Sequence, residues 1–189
     1  MRARRCQGRL LLGLSALLCA LTVDPSWAQG PPQPCRDFAW DVHQERQLFA
    51  HSAHTVAAAR LSTATPSVRV GQLYQVTLAP QGEVRYVVAP GKVALADGAF
   101  GGMVKFRVRQ AGSYRVSLDA AFWIDVVADG RLLATEDFSG QRGCANPHKI
   151  VVFQMPSGQD LWLQISGSHL PRAQFSITEA PANQASGAH

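Results

Sequence analysis

The stretch from Gly112 to Ser166 reads GSYRVSLDAAFWIDVVADGRLLATEDFSGQRGCANPHKIVVFQMPSGQDLWLQIS, and its reading decides the fold. Tyr114, Val116 and Leu118 alternate with small or polar neighbours, which is the period of a half-buried strand. Phe122 to Val127 is a second apolar run. It meets Asp129-Gly130, and Leu132-Leu133 follows. An Asp-Gly pair between apolar runs predicts a hairpin, because a type I′ turn needs two residues that tolerate positive φ. Lys149 to Met155 predicts a third strand, closed by Pro156-Ser157-Gly158. Leu161, Leu163 and Ile165 predict a fourth on strict alternation.

Outward from that stretch the pattern stays β. Leu73 to Leu78 alternates, Pro80-Gln81-Gly82 turns the chain, and Val84 to Val88 predicts a strand ended by Pro90-Gly91. Gly98, Gly101 and Gly102 surround Phe100 and read as a flexible loop before a strand from Met103 to Val108. Ala173 to Thr178 predicts the last strand. About eight or nine strands with turns every ten or so residues predict a mainly β fold, an antiparallel β-sandwich or jelly roll.

One short helix precedes it. Asp41 with Gln44 three residues later predicts a capping box, with the helix over Val42 to Ala50 and Leu48 and Phe49 facing the core. The Ala-, Ser- and Thr-rich residues His51 to Thr65 fit either an extension of that helix or an irregular connection. The plan is therefore a Pro-rich segment, helix and connection over 29–67, the sandwich over 68–180, and a small polar tail over 181–189 that is expected to be disordered.

The first 28 residues predict a secretory signal peptide. Arg2, Arg4, Arg5 and Arg9 precede an apolar run from Leu10 to Val23, and Ser26-Trp27-Ala28 predicts cleavage before Gln29. The run is about 14 residues, short of the roughly 20 a membrane span needs, and no later stretch reaches that length. This segment holds four of the 18 Lys and Arg and one of the 13 Asp and Glu, so the formal charge of +5 falls to about +2 without it. The basic balance therefore implies no nucleic-acid partner. Cys6 and Cys19 leave with the segment. In an exported chain the remaining Cys35 and Cys144 predict a disulfide closing a loop of more than about 100 residues; free thiols or metal ligands are the alternative, without the spacing of a CxxC site.

Two resemblances follow. The pattern AGSYRVSL, a strand carrying Asp125, a DG turn and SGQDLWLQISG, across Met103 to Ile177, resembles the bacterial pre-peptidase C-terminal family of β-sandwich domains. CRDFAWDVHQERQLFA with DVVADGRLL and GCANPHKIVVF is similar to a group of uncharacterised exported proteobacterial proteins, over nearly the whole chain after the signal. Some of that group are labelled homogentisate 1,2-dioxygenase. That enzyme is a larger cupin with an iron site of His and Glu, a motif this chain lacks.

The candidate site residues lie in the central stretch. Phe122, Ile124 and Val126 share one face of their strand, and Trp123, Asp125 and Val127 share the other. With the first face in the core, Trp123 and Asp125 project together. An aromatic ring that stacks on a pyranose beside a carboxylate that accepts its hydroxyls is a sugar-binding arrangement, and Trp162 would add a second platform. The structural alternative buries Trp123 between sheets and has Asp125 cap a turn. His148 follows Cys144-Ala-Asn-Pro and would be held rigidly by the disulfide, either as a ligand or as a loop-shaping residue. His51 and His54 would share a helix face if that segment were helical. Glu136 and Asp137 adjoin, so in a regular strand they point to opposite faces and form no acid/base dyad. No G-x-S-x-G, Walker or dinucleotide loop occurs.

These observations predict an exported, disulfide-stabilised binding module of the bacterial envelope, periplasmic or secreted, with a glycan or an envelope protein as partner. The second reading is a metal-dependent oxygenase or hydrolase using His148 with Asp125 or Asp137. The third is a structural accessory domain. No cofactor motif is present, and calcium or a transition metal is left open.

Overall fold

The structure is a computed structural model and describes residue 35 and residues 38–92 and 97–181. The predicted signal peptide and almost all of the predicted tail lie outside the described residues.

Two sheets form a β-sandwich. One runs in the order β1 (His54–Ala57), β2 (Leu73–Thr77), β11 (Arg172–Glu179), β5 (Gly112–Leu118), β9 (Lys149–Met155) and β8 (Thr135–Gly140). The other runs in the order β3 (Ala79–Pro80), β4 (Phe100–Phe106), β10 (Leu161–Ser168), β6 (Trp123–Ala128) and β7 (Arg131–Leu132). Every pairing is antiparallel except β1 with β2, which is parallel.

Side-chain alternation explains why the sheets face each other. Tyr114, Val116 and Leu118 of β5 and Val151, Phe153 and Met155 of β9 meet Leu161, Leu163 and Ile165 of β10 and Ile124 and Val126 of β6 in one buried core. Burying each such side chain is worth about 1.5–3 kcal/mol. The β6–β7 turn has the predicted chemistry, with Asp129 at φ 50° and Gly130 at φ 69°.

The helix α1 (His43–Phe49) lies one residue inside its predicted limits. It has no capping box. The Asp41 carboxylate accepts from the His43 N–H at 2.9 Å, and no side chain caps the Val42 end. Its buried stripe is Val42, Glu45 and Phe49, with Leu48 only half buried. His51 to Thr65 is not helical. It contains β1 and a 3₁₀ turn over Ser62–Ala64.

Two further expectations need correction. Val84 to Val88 forms no strand. It crosses the outer face of the second sheet, where its polar groups bond to side chains and carbonyls of that face: the Tyr86 hydroxyl donates to the Ile165 carbonyl at 3.1 Å, and Val88 exchanges two bonds with the Gln164 amide. Phe100 to Gly102 is not a loop but the start of β4. The glycines belong there because a Cβ at Gly101 would meet the Tyr86 hydroxyl and the Ile165 carbonyl, and one at Gly102 would meet the Ala58 methyl. Gly101→Ala is expected to destabilise by about 1–3 kcal/mol through overpacking, read as a lower denaturant midpoint at unchanged slope.

Cys35 and Cys144 are joined, with Cα atoms 5.5 Å apart. The bridge fixes the chain before α1 to the loop between β8 and β9. No helix among the described residues is long and apolar enough to cross a membrane.

Candidate ligand-binding surface

The outer face of the second sheet carries the central candidates. Phe122, Ile124 and Val126 point into the core, so Trp123, Asp125 and Val127 point outward, as the alternation requires. Trp123 is 37% exposed. Asp125 is only 8% exposed, because the chain around Gly91 lies over it. Its two oxygens sit 3.0 Å from the Trp123 Nε1–H, which donates to them, and Oδ2 also accepts from the Gly91 N–H at 3.1 Å. Burial pushes the Asp125 carboxyl above the usual carboxylate range, against the pull of the Gly91 and Trp123 bonds and the nearby Lys149 charge. Asp125 thus fixes the indole and pins the covering segment.

Lys149 completes this corner. Its ammonium donates to the Phe122 carbonyl at 2.8 Å and lies 5.9 Å from the centre of the Trp123 ring. That separation is within cation–π range. Burial pulls the ammonium below the usual lysine range; Lys92 adds to this and Asp125 opposes it. Burial, with the same carboxylate adding to it, holds the Tyr86 hydroxyl well above the usual phenol range. The result is an exposed indole held from its edge by a carboxylate and from its side by an ammonium.

Trp162 does not join it. Trp162 pairs with Val127 and Lys105, whereas Trp123 pairs with Ser166, four residues along β10 or about 13 Å. Between the two indoles the Gln164 amide is engaged with the Val88 backbone. Trp162 is half buried, and its Nε1–H is buried without a partner among the described residues.

His148 is tied into its loop. Its Nδ1 lies 3.0 Å from the Cys144 carbonyl and its N–H donates to the Leu118 carbonyl at 2.7 Å. Asp137 pairs with Val152, four residues from His148 and about 13 Å along β9, and its carboxylate accepts from the next N–H. His51 follows α1 while His54 opens β1 against the Tyr74 ring, so they share no helix face. Among the described residues no group of three or more His, Cys, Asp or Glu is placed to hold a metal ion. Lys149 was missed from the sequence, where it reads only as the first residue of an apolar strand.

No protein-family model matches this chain, and no curated protein matches it either. The chemistry of this surface therefore rests on its own atoms.

Proposed function

We propose that this chain is a binding module of the bacterial cell envelope, working in an oxidising compartment, and that Trp123 is the platform on which a sugar ring stacks. The fixed, exposed indole carries this reading. A ring already locked by Asp125 and Lys149 loses little conformational freedom when a ligand lands on it. In this arrangement Asp125 orients the platform, and the ligand's hydroxyls are left to Lys149, Lys92 and the Gly91 backbone. The disulfide supports the compartment, since such bonds persist outside the reducing cytosol.

Isothermal titration against neutral and acidic oligosaccharides tests it. Trp123→Ala is expected to weaken binding at least about tenfold, equivalent to ~1.4 kcal/mol. Trp123→Phe keeps an aromatic face and should retain part of the affinity. A folded Trp123→Ala protein that binds like the parent overturns the reading. Saturable binding to an envelope protein, with none to any glycan, would favour an accessory domain instead.

A further inference from the structure

A concave surface lies where β4 runs out and β5 begins. It is a cleft of about 800 Å³ with Arg69, Lys105, Arg107 and Arg109 on its walls against only Asp160 and Glu179. That size is in the range of small-molecule sites. Its floor includes Phe106 and Tyr114, both buried in the core, and Tyr114 is further tied down by its hydroxyl bond to the Gln110 carbonyl.

The wall that carries Arg69 is built rather than loose. Val68 N–H donates to the Lys105 carbonyl at 2.7 Å, and Lys105 N–H to the Pro66 carbonyl at 2.8 Å. Arg69 N–H donates to the Tyr74 hydroxyl at 2.9 Å, and Gly71 N–H to the Ile177 carbonyl at 2.8 Å.

The charges do not cancel. Asp160 is shared by Lys105 and Arg107, which together hold its carboxyl below the usual range. Arg69 and Arg109 have no carboxylate at ion-pair distance among the described residues. Two guanidiniums thus line one cleft with no such partner among the described residues. Their planar forks match carboxylate and phosphate oxygens two at a time.

We propose that this cleft binds a small polyanion, a molecule bearing two or more carboxylate or phosphate groups, held by Arg69 and Arg109 with Arg107 at its rim. The site is separate from the Trp123 platform. Asp160 is six residues along the chain from Ser166, the partner of Trp123, or about 20 Å along β10.

The test is an NMR titration of the disulfide-intact chain at low salt with three probes: trigalacturonic acid, fructose 1,6-bisphosphate and inorganic pyrophosphate. Saturable shifts centred on residues 69, 107 and 109, with affinity falling steeply as salt rises, are expected with at least one probe. A response to the uronate alone assigns a saccharide source, and a response to the phosphates alone assigns a phosphate ester. R69Q/R109Q, two exposed positions, should weaken binding at least tenfold with unchanged melting. D160N releases Lys105 and Arg107 and should tighten it several-fold, while Trp123→Ala should leave it as it was. Absence of saturable shifts for all three probes at millimolar concentration, or parental affinity in R69Q/R109Q, overturns the proposal.

Discussion

Glu45→Ala is expected to destabilise the fold by about 3–5 kcal/mol, the largest effect of any single substitution considered. The reason is that the ion pair it belongs to is buried. Glu45 and Arg115 are 0% and 2% exposed. The Glu45 carboxylate accepts from Arg115 Nη1 at 3.2 Å and from the Thr178 hydroxyl at 3.0 Å, and Arg115 also donates to the Asp41 carbonyl at 2.9 Å. The Trp40 ring lies 5.2 Å from the guanidinium. Together these groups clamp α1 onto the outward face of β5 and β11. Breaking a buried pair by removing one partner costs about 3–5 kcal/mol, whereas replacing both partners with apolar groups of similar size is often near neutral. E45L/R115M should therefore be markedly more stable than the two single losses would sum to. Urea unfolding checks both. A cost below about 1 kcal/mol for Glu45→Ala would mean that the helix is not anchored through this pair.

C35S/C144S is the second large effect. The bridged cysteines are 109 positions apart. Closing a loop of that length removes about 4–5 kcal/mol of chain entropy from the unfolded state on the loop-entropy account. For a domain of this size that corresponds to a fall in melting temperature of roughly 10–20 °C. The bridge also anchors the segment that leads into α1, and the Cys35 carbonyl accepts from the Arg46 guanidinium. Thiol reductant should reproduce the loss in the parent protein and leave C35S/C144S unaffected. A melting temperature that stays within about 2 °C of the parent would show that the packing of α1 alone holds this segment.

What was legible in the sequence was local. Lys149 to Met155 has its predicted limits, and the Asp129-Gly130 turn has its predicted backbone, because alternation and turn chemistry are set by a few adjacent residues. What was hidden depends on distant partners. Val84 to Val88 has the composition of a strand, but beyond the Val84 and Arg85 N–H bonds to the Gln81 and Arg60 carbonyls its Tyr86 hydroxyl and Val88 backbone bond to Ile165 and Gln164, about 80 residues away, so it is a cover and not a strand. Gly101 and Gly102 read as flexible although they are strand residues, since only the approach of Tyr86 and Ala58 explains them. Arg115 sits at a position that alternation assigns to solvent, and nothing near it announces that Glu45 will cover it.

The candidate surface divides in the same way. That Trp123 and Asp125 share a face followed from the period of the strand. That Asp125 is occupied by the indole N–H and by Gly91 required the fold of a segment 34 residues earlier. The basic cleft gathers Arg69, Arg107 and Arg109 from two stretches of chain, neither of which is a charge run.

The indole N–H signals test the central claim most directly. The described residues include Trp40, Trp123 and Trp162, and the Nε1 atoms of Trp40 and Trp162 are buried. Titrating a ¹⁵N-labelled protein with a panel of oligosaccharides should shift the Trp123 indole signal in a saturable way and leave that of Trp40 in place. A panel that binds while the Trp123 signal stays still, or that moves no indole at all in the folded protein, contradicts the account.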